Sequence, residues 1–184
     1  MFLQSLFCPS PFSLGPMEFT IGEKVIYPNH GVGIIEKINS REVSGHRESF
    51  YQLKMVANSM MVMIPVSNVS DVGLRKLIKK EAVNEVLDHL KSTGIQAHTD
   101  WKNRYKENSD KMRTGSIFDV ADVFKSLYSL SHERVLSFRE KKMLDRARYL
   151  VISELSTVWN LPELKVQEMV EHTLDEKVIR KAHA

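Results

Sequence analysis

Between Thr99 and Asn108 a tryptophan and a tyrosine stand four residues apart in an otherwise basic and polar run. If the run is helical with Thr99 as its N-cap, Trp101 and Tyr105 share one face, and Arg104 lies three residues from the tryptophan. A flat apolar group flanked by cations suits nucleic acid: the cations hold phosphates, and the ring stacks on bases or wedges between them. The same spacing also describes an aromatic stripe that anchors its helix to a core. Spacing alone does not separate the two readings.

Two basic clusters extend this chemistry. One is Lys102, Arg104, Lys106, Lys111 and Arg113; the other is Arg139, Lys141, Lys142, Arg146 and Arg148. Glu107, Asp110, Glu140 and Asp145 alternate with them, so a solvated face laced by i, i+4 ion pairs competes with a phosphate-binding surface. Arg146 and Arg148 cannot share one narrow helical face, so only part of the second cluster serves any one partner. Residues 75–150 carry 17 basic and 11 acidic side chains, against 5 and 6 in residues 17–74 and 4 and 6 in residues 151–184. The positive charge is therefore central. A third feature is the apolar run Met60 to Pro65, which lacks clean alternation. Either both its faces are buried, or one faces a partner across a sheet edge. Methionine suits adaptable contacts but more commonly fills core gaps.

Catalytic constellations are missing. No phosphate-binding loop, G-x-G-x-x-G, G-x-S-x-G or His-Glu-x-x-His pattern occurs. The seven histidines, His30, His46, His89, His98, His132, His172 and His183, lack ligand spacing. The carboxylate pairs Glu163 and Glu168, and Asp119 and Asp122, lie among solvated helix charges. The one cysteine, Cys8, permits neither a disulfide framework nor a cysteine metal site. The expectation is no catalytic residue, no metal and no cofactor.

The elements that must position these residues follow from pattern. A chain of 184 residues with 42% hydrophobic content is enough for a packed core. Residues 1–16, uncharged and broken by Pro9 and Pro11, are expected to be a disordered extension rather than a signal sequence. No run approaches a membrane span. Strands are predicted at Lys24–Tyr27, Val32–Ile38, Ser49–Val56 and Met60–Ile64, with turns at Pro28–Gly31, Val43–His46 and Ala57–Ser59. Such short strands suggest a small, curved antiparallel module of about 50 residues. At Gly73 the period changes to that of helices. These are expected at Arg75–Ser92, ending at Gly94; from Trp101 to Arg113, stopping at Gly115; after the cap Ser116; after the capping box of Ser137 and Glu140; and from Pro162. The fold class is α+β, a small antiparallel β module (17–72) followed by a compact five-helix domain (73–178) and a tail (179–184).

Five ordered blocks resemble the CarD/CdnL family of bacterial transcription regulators: Gly22–Gly33, Met63–Pro65, Val72–Arg75, Trp101–Lys106 and Leu136–Leu144. The resemblance covers Phe19 to about Asp175, and its β part is also similar to the polymerase-interacting domain of the transcription-repair coupling factor. It implies a Tudor-like or SH3-like module that docks on the β subunit of RNA polymerase, and a helical domain that contacts promoter DNA without sequence specificity. A tryptophan at the position of Trp101 would wedge into the minor groove at the upstream edge of the transcription bubble and stabilise the open complex. The DNA surface so implied is Trp101, Arg104, Tyr105, Lys106, Lys141, Lys142 and Arg146. The polymerase surface is Arg41, Val62, Met63, Ile64 and Pro65. The resemblance further implies no catalysis, no cofactor, no membrane partner, a monomer, and a cytoplasmic location associated with the nucleoid through polymerase. The alternative kept beside it is a polymerase adaptor in which Trp101 has no wedge role.

Overall fold

The computed structural model describes residues 19–43, 46–92 and 101–182, and for Val43, His46, Trp101 and residues 176–182 the backbone alone. The expected extension 1–16, the cap Thr99, the helix stop Gly94 and the tip of the Val43–His46 turn lie outside the described residues. Strands β1 (Lys24–Tyr27), β2 (Gly31–Val43), β3 (His46–Met55), β4 (Met61–Pro65) and β5 (Arg75–Lys76) form one antiparallel sheet in the order β4-β3-β2-β1-β5. A register shift between Ile35 and Lys37 bends β2. Side chains alternate across the pleat, so Val25, Ile35, Tyr51, Leu53 and Ile64 fill an inner core that Phe19 closes edge-on against Tyr51.

Strand β5 corrects the sequence-based expectation of a helix from Arg75. Its two residues pair with Val25 and Ile26 instead, because Gly73, left-handed at φ 69° after the single turn α1 (Val69–Val72), reverses the chain back onto β1. The next helix, α2, spans Ala82–Lys91. It is followed by α3 (Trp101–Thr114), α4 (Ile117–Glu133), α5 (Phe138–Trp159) and α6 (Glu163–Ala182). Among the described residues the helical part thus has five helices, and its last continues beyond residue 178, where the tail was expected to begin. Helix α4 is the central element: Val120, Ala121, Val123, Phe124 and Leu127 are buried against α2, α3, α5 and α6. Ser116 precedes α4 at the cap position without a side-chain bond; its N–H is taken by the Thr114 hydroxyl at 3.1 Å.

The two modules meet in a polar and glycine-lined joint. The Arg75 guanidinium forms a bidentate pair with Glu154 of α5 at 2.6 and 2.8 Å and donates to the Gly115 carbonyl at 2.6 Å. Glu154 is 3% exposed and also accepts the Ile78 N–H at 3.2 Å. Beside this clamp, Pro28 packs against Gly73 and Gly115. A Cβ on Gly115 would lie 2.9 Å from the proline ring, and its φ of 75° already favours glycine. On the other flank, Arg146 donates to the Asn29 carbonyl, and Tyr149 occupies the space that a Cβ on Gly31 would need.

Candidate nucleic-acid and protein interfaces

The sheet has β4 at one edge, so one side of its backbone hydrogen bonds to β3 and the other faces outward. Register assigns the faces. Met61, Met63 and Pro65 pair with Lys54, Gln52 and Phe50, and Arg41 pairs with Glu48, which places all four predicted and neighbouring side chains on the outer face. Met60, Met61 and Met63 are 40, 43 and 39% exposed, an apolar surface rare on a free strand. One expected contact residue is corrected by the same register. Ile64 is 3% exposed, so its side chain belongs to the fold and only its backbone reaches the edge, whereas Val62 is half-buried against the β core.

The DNA-directed set divides into three groups. Arg104 does not offer its guanidinium to solvent: it is 7% exposed and pairs with Glu140 at 2.9 Å. This corrects its expected role as a phosphate contact. Glu140 is the capping-box residue of α5; it accepts the Ser137 N–H at 3.0 Å and also pairs with Arg134 at 2.8 Å. Burial pushes its carboxyl upward. The Ser137 N–H, Arg104, the Ser137 side chain and Arg134 outweigh that effect and hold it at about 2, against an ordinary 4.5. Through this knot the first turn of α3, which begins with Trp101, is tied to the first turn of α5. The Trp101 side chain itself is outside the description.

Tyr105, Lys142 and Arg146 form the second group, lining one cleft between α3 and α5. Tyr105 is half-buried with the Arg139 guanidinium 6.0 Å from its ring centroid. The third group, Lys106 and Lys141, is exposed but does not line that cleft. Each is one residue, and so about 100° of helical turn, away from an inward neighbour. Arg148 turns away from the cleft: it is half-buried, pairs with Glu171 at 3.3 Å and sits over Phe124. Lys111 likewise engages Glu107 and Asp122 at 3.5 and 3.4 Å.

Sequence reasoning placed Arg139 in the second basic cluster without carrying it into the DNA surface, and passed over Asn29 there and Arg75, Pro28 and Gly115 as the joint. Arg139 had a readable signal, since 139, 142 and 146 fall on one helical face. The Arg75 clamp had none, because its partner is 79 residues away.

A prediction follows from the Glu140 knot. Because its folded pKa is lowered, its contribution is fully present above its unfolded value of 4.5 and is lost as pH falls toward about 2. Glu140→Gln is expected to cost about 2–3 kcal/mol near neutral pH, with the variant and the parent converging near the bottom of that window. Urea unfolding from pH 7 to 2 measures this; parallel stability curves would refute it.

A β module with an exposed methionine edge, fixed to a helical domain with a cationic cleft, has the layout of a two-module transcription factor. Residues 19–78 match the CarD-like/TRCF RID domain, and residues 85–171 match the CarD C-terminal domain. YdeB of Bacillus subtilis (strain 168), assigned as a transcription factor, is 34% identical over 149 residues, 81% of this chain and 97% of that protein. The solved structure of CdnLNt from Myxococcus xanthus is 47% identical and covers 33% of this chain and 84% of its own, with a TM-score of 0.29. The chain belongs to the CarD/CdnL family, a family of transcription factors that interact with RNA polymerase and not a known family of enzymes. Among the described residues, no helix is long and apolar enough to cross a membrane.

Proposed function

We propose that this chain docks on the β subunit of RNA polymerase through the outer face and edge of β4, and places Trp101 at the upstream edge of the transcription bubble, where it stabilises the open complex. The observation that carries the reading is the Arg104–Glu140 pair, which holds the start of the Trp101 helix beside the exposed cations Lys141 and Lys142. A wedge needs such a fixed base: an aromatic on a frayed helix end would lose in ordering entropy much of what it gains by stacking. The unpairing cost at a bubble edge is met by polymerase, so the ring gains stacking area at a step already partly unstacked. Cations near the wedge add contacts to phosphate that carry no sequence information.

On free DNA, binding is expected to be weak and steeply salt-dependent, because few phosphates are reached. Attachment to polymerase raises the effective concentration of the DNA-directed face and makes weak contacts useful. The docking half of the reading is tested by Met63→Glu. The side chain is exposed, so folding stability should change by no more than about 0.5 kcal/mol. Capture of polymerase by the purified chain should fall at least tenfold, because a carboxylate would be desolvated in an apolar contact. Undiminished capture would show that the outer face of β4 is not the docking surface.

A further inference from the structure

The cleft between α3 and α5 has a composition that the docking and wedge roles do not require. It encloses about 230 Å³, and one wall is the basic face of α5, Arg139, Lys142 and Arg146. The opposite wall is α3, with Tyr105 and Ser109, and Asn29 of the β module stands at its margin. Met112 and Met143 contribute apolar lining. Among the described residues, no carboxylate lines it. The three cations occur at i, i+3 and i+7, a span of about 10 Å along one helical face. Like charges at those spacings repel one another.

Three other cations on these helices pair with carboxylates: Arg104 with Glu140, Lys111 with Glu107 and Asp122, and Arg148 with Glu171. In the cleft their neighbours are rings and a carbonyl. Arg139 lies by Tyr105, Lys142 stands 4.6 Å over Phe138, and Arg146 lies by Tyr149 and donates to Asn29. The surplus charge is felt nearby: His30 is held below its ordinary range by burial first and by Arg146 second. A concave site with a cationic wall, an aromatic wall, a hydroxyl and an amide matches a phosphate attached to a flat ring. The cleft is open to solvent, so it can hold the phosphates and the ring beside them while the rest of a nucleotide extends outward.

We propose that this cleft is a nucleotide-phosphate site, in which Arg139, Lys142 and Arg146 hold phosphate oxygens and Tyr105 flanks the attached ring. The phosphate comes either from a free nucleoside diphosphate or from the DNA strand beside the wedge. Because Tyr105, Lys142 and Arg146 are also in the proposed DNA surface, the second source rests on that reading, while the first stands apart from it. A free nucleotide held here would compete with DNA and would thereby regulate the open-complex effect.

Titration calorimetry on the full chain at low salt, with GDP and with inorganic diphosphate as probes, tests the site. Both should bind. Arg139→Ala and Lys142→Ala should each weaken binding about tenfold, Arg139→Lys should retain most of it, and Lys165→Ala, an exposed cation on α6, should change nothing. GDP binding tighter than diphosphate, with Tyr105→Ala removing the difference, identifies the free nucleotide as the source. A forked duplex that displaces diphosphate, and that loses affinity on the same two alanine substitutions, identifies the DNA strand. Absence of diphosphate binding, or equal binding by Arg139→Ala and Lys165→Ala, overturns the site. That failure is separable from failure of the wedge reading, which is judged by Trp101→Ala in open-complex assays without added nucleotide.

Discussion

Trp101→Ala is expected to shorten the lifetime of the open complex about tenfold in a purified transcription system, with capture of the chain by polymerase unchanged. The size follows from stacking. Removing an aromatic that stacks on a base costs about 1–3 kcal/mol, and each 1.4 kcal/mol is a factor of ten in an equilibrium constant or a dissociation rate. A Trp101→Phe variant should recover part of the loss, since a smaller ring keeps some of the contact. Arg104→Ala should produce a milder version of the same defect together with a loss of stability, because it frees the start of α3 from Glu140. Equal lifetimes for Trp101→Ala and the parent, with docking intact, would leave the adaptor role as the better account. The measurement is competitor-challenged decay of promoter complexes at fixed salt, since the accompanying phosphate contacts weaken as ionic strength rises.

The second large effect is on the fold. Arg75→Ala is expected to destabilise the chain by about 3–5 kcal/mol, because it strands the buried Glu154 carboxylate and releases β5. For a chain of this size that is a fall in Tm of roughly 6–20 °C. Arg75→Lys should recover only part of it, since a point charge cannot reproduce the paired bonds at 2.6 and 2.8 Å together with the bond to Gly115. Replacing both partners, Arg75→Met with Glu154→Leu, should return much of the stability, because apolar side chains of similar size incur no desolvation of charge. Thermal and urea unfolding of the three variants decide the matter. A double variant no better than Arg75→Ala would mean that the clamp acts through geometry rather than through the stranded charge.

Local features were legible in the sequence. The Ser137 and Glu140 capping box and the stop at Gly115 are set by neighbours within a few residues, and both are present. The edge position of β4 was also foreshadowed, since a methionine run with no room to be buried twice in so small a module points to an open side. What depended on distant partners was not legible. Arg104 reads as one cation among several, and only the fold brings Glu140, 36 residues later, against it. Arg75 reads as the start of a helix until the turn at Gly73 delivers it to β1. Within Val62 to Pro65, composition did not say which side chains face inward; that is set by pairing with β3, and a shift of one residue would exchange the faces. Among the cations, the distinction between those matched by carboxylates and those left facing a cleft is likewise a property of helix rotation, to which composition is blind.

The clamp of Arg75 and Glu154, with Pro28 set between two glycines, also fixes a length. A pliant tether would let the DNA-directed face search a volume, and any nearby duplex would do. A stiff joint holds the β4 edge and the start of α3 at one separation, so on the proposed reading the chain acts as a caliper: it touches only DNA that polymerase presents at that distance. Selection of this kind needs no base-specific contact. It would place every copy at the same point relative to the enzyme, and a substitution that loosened the joint would spread that point out while leaving both contact surfaces chemically intact.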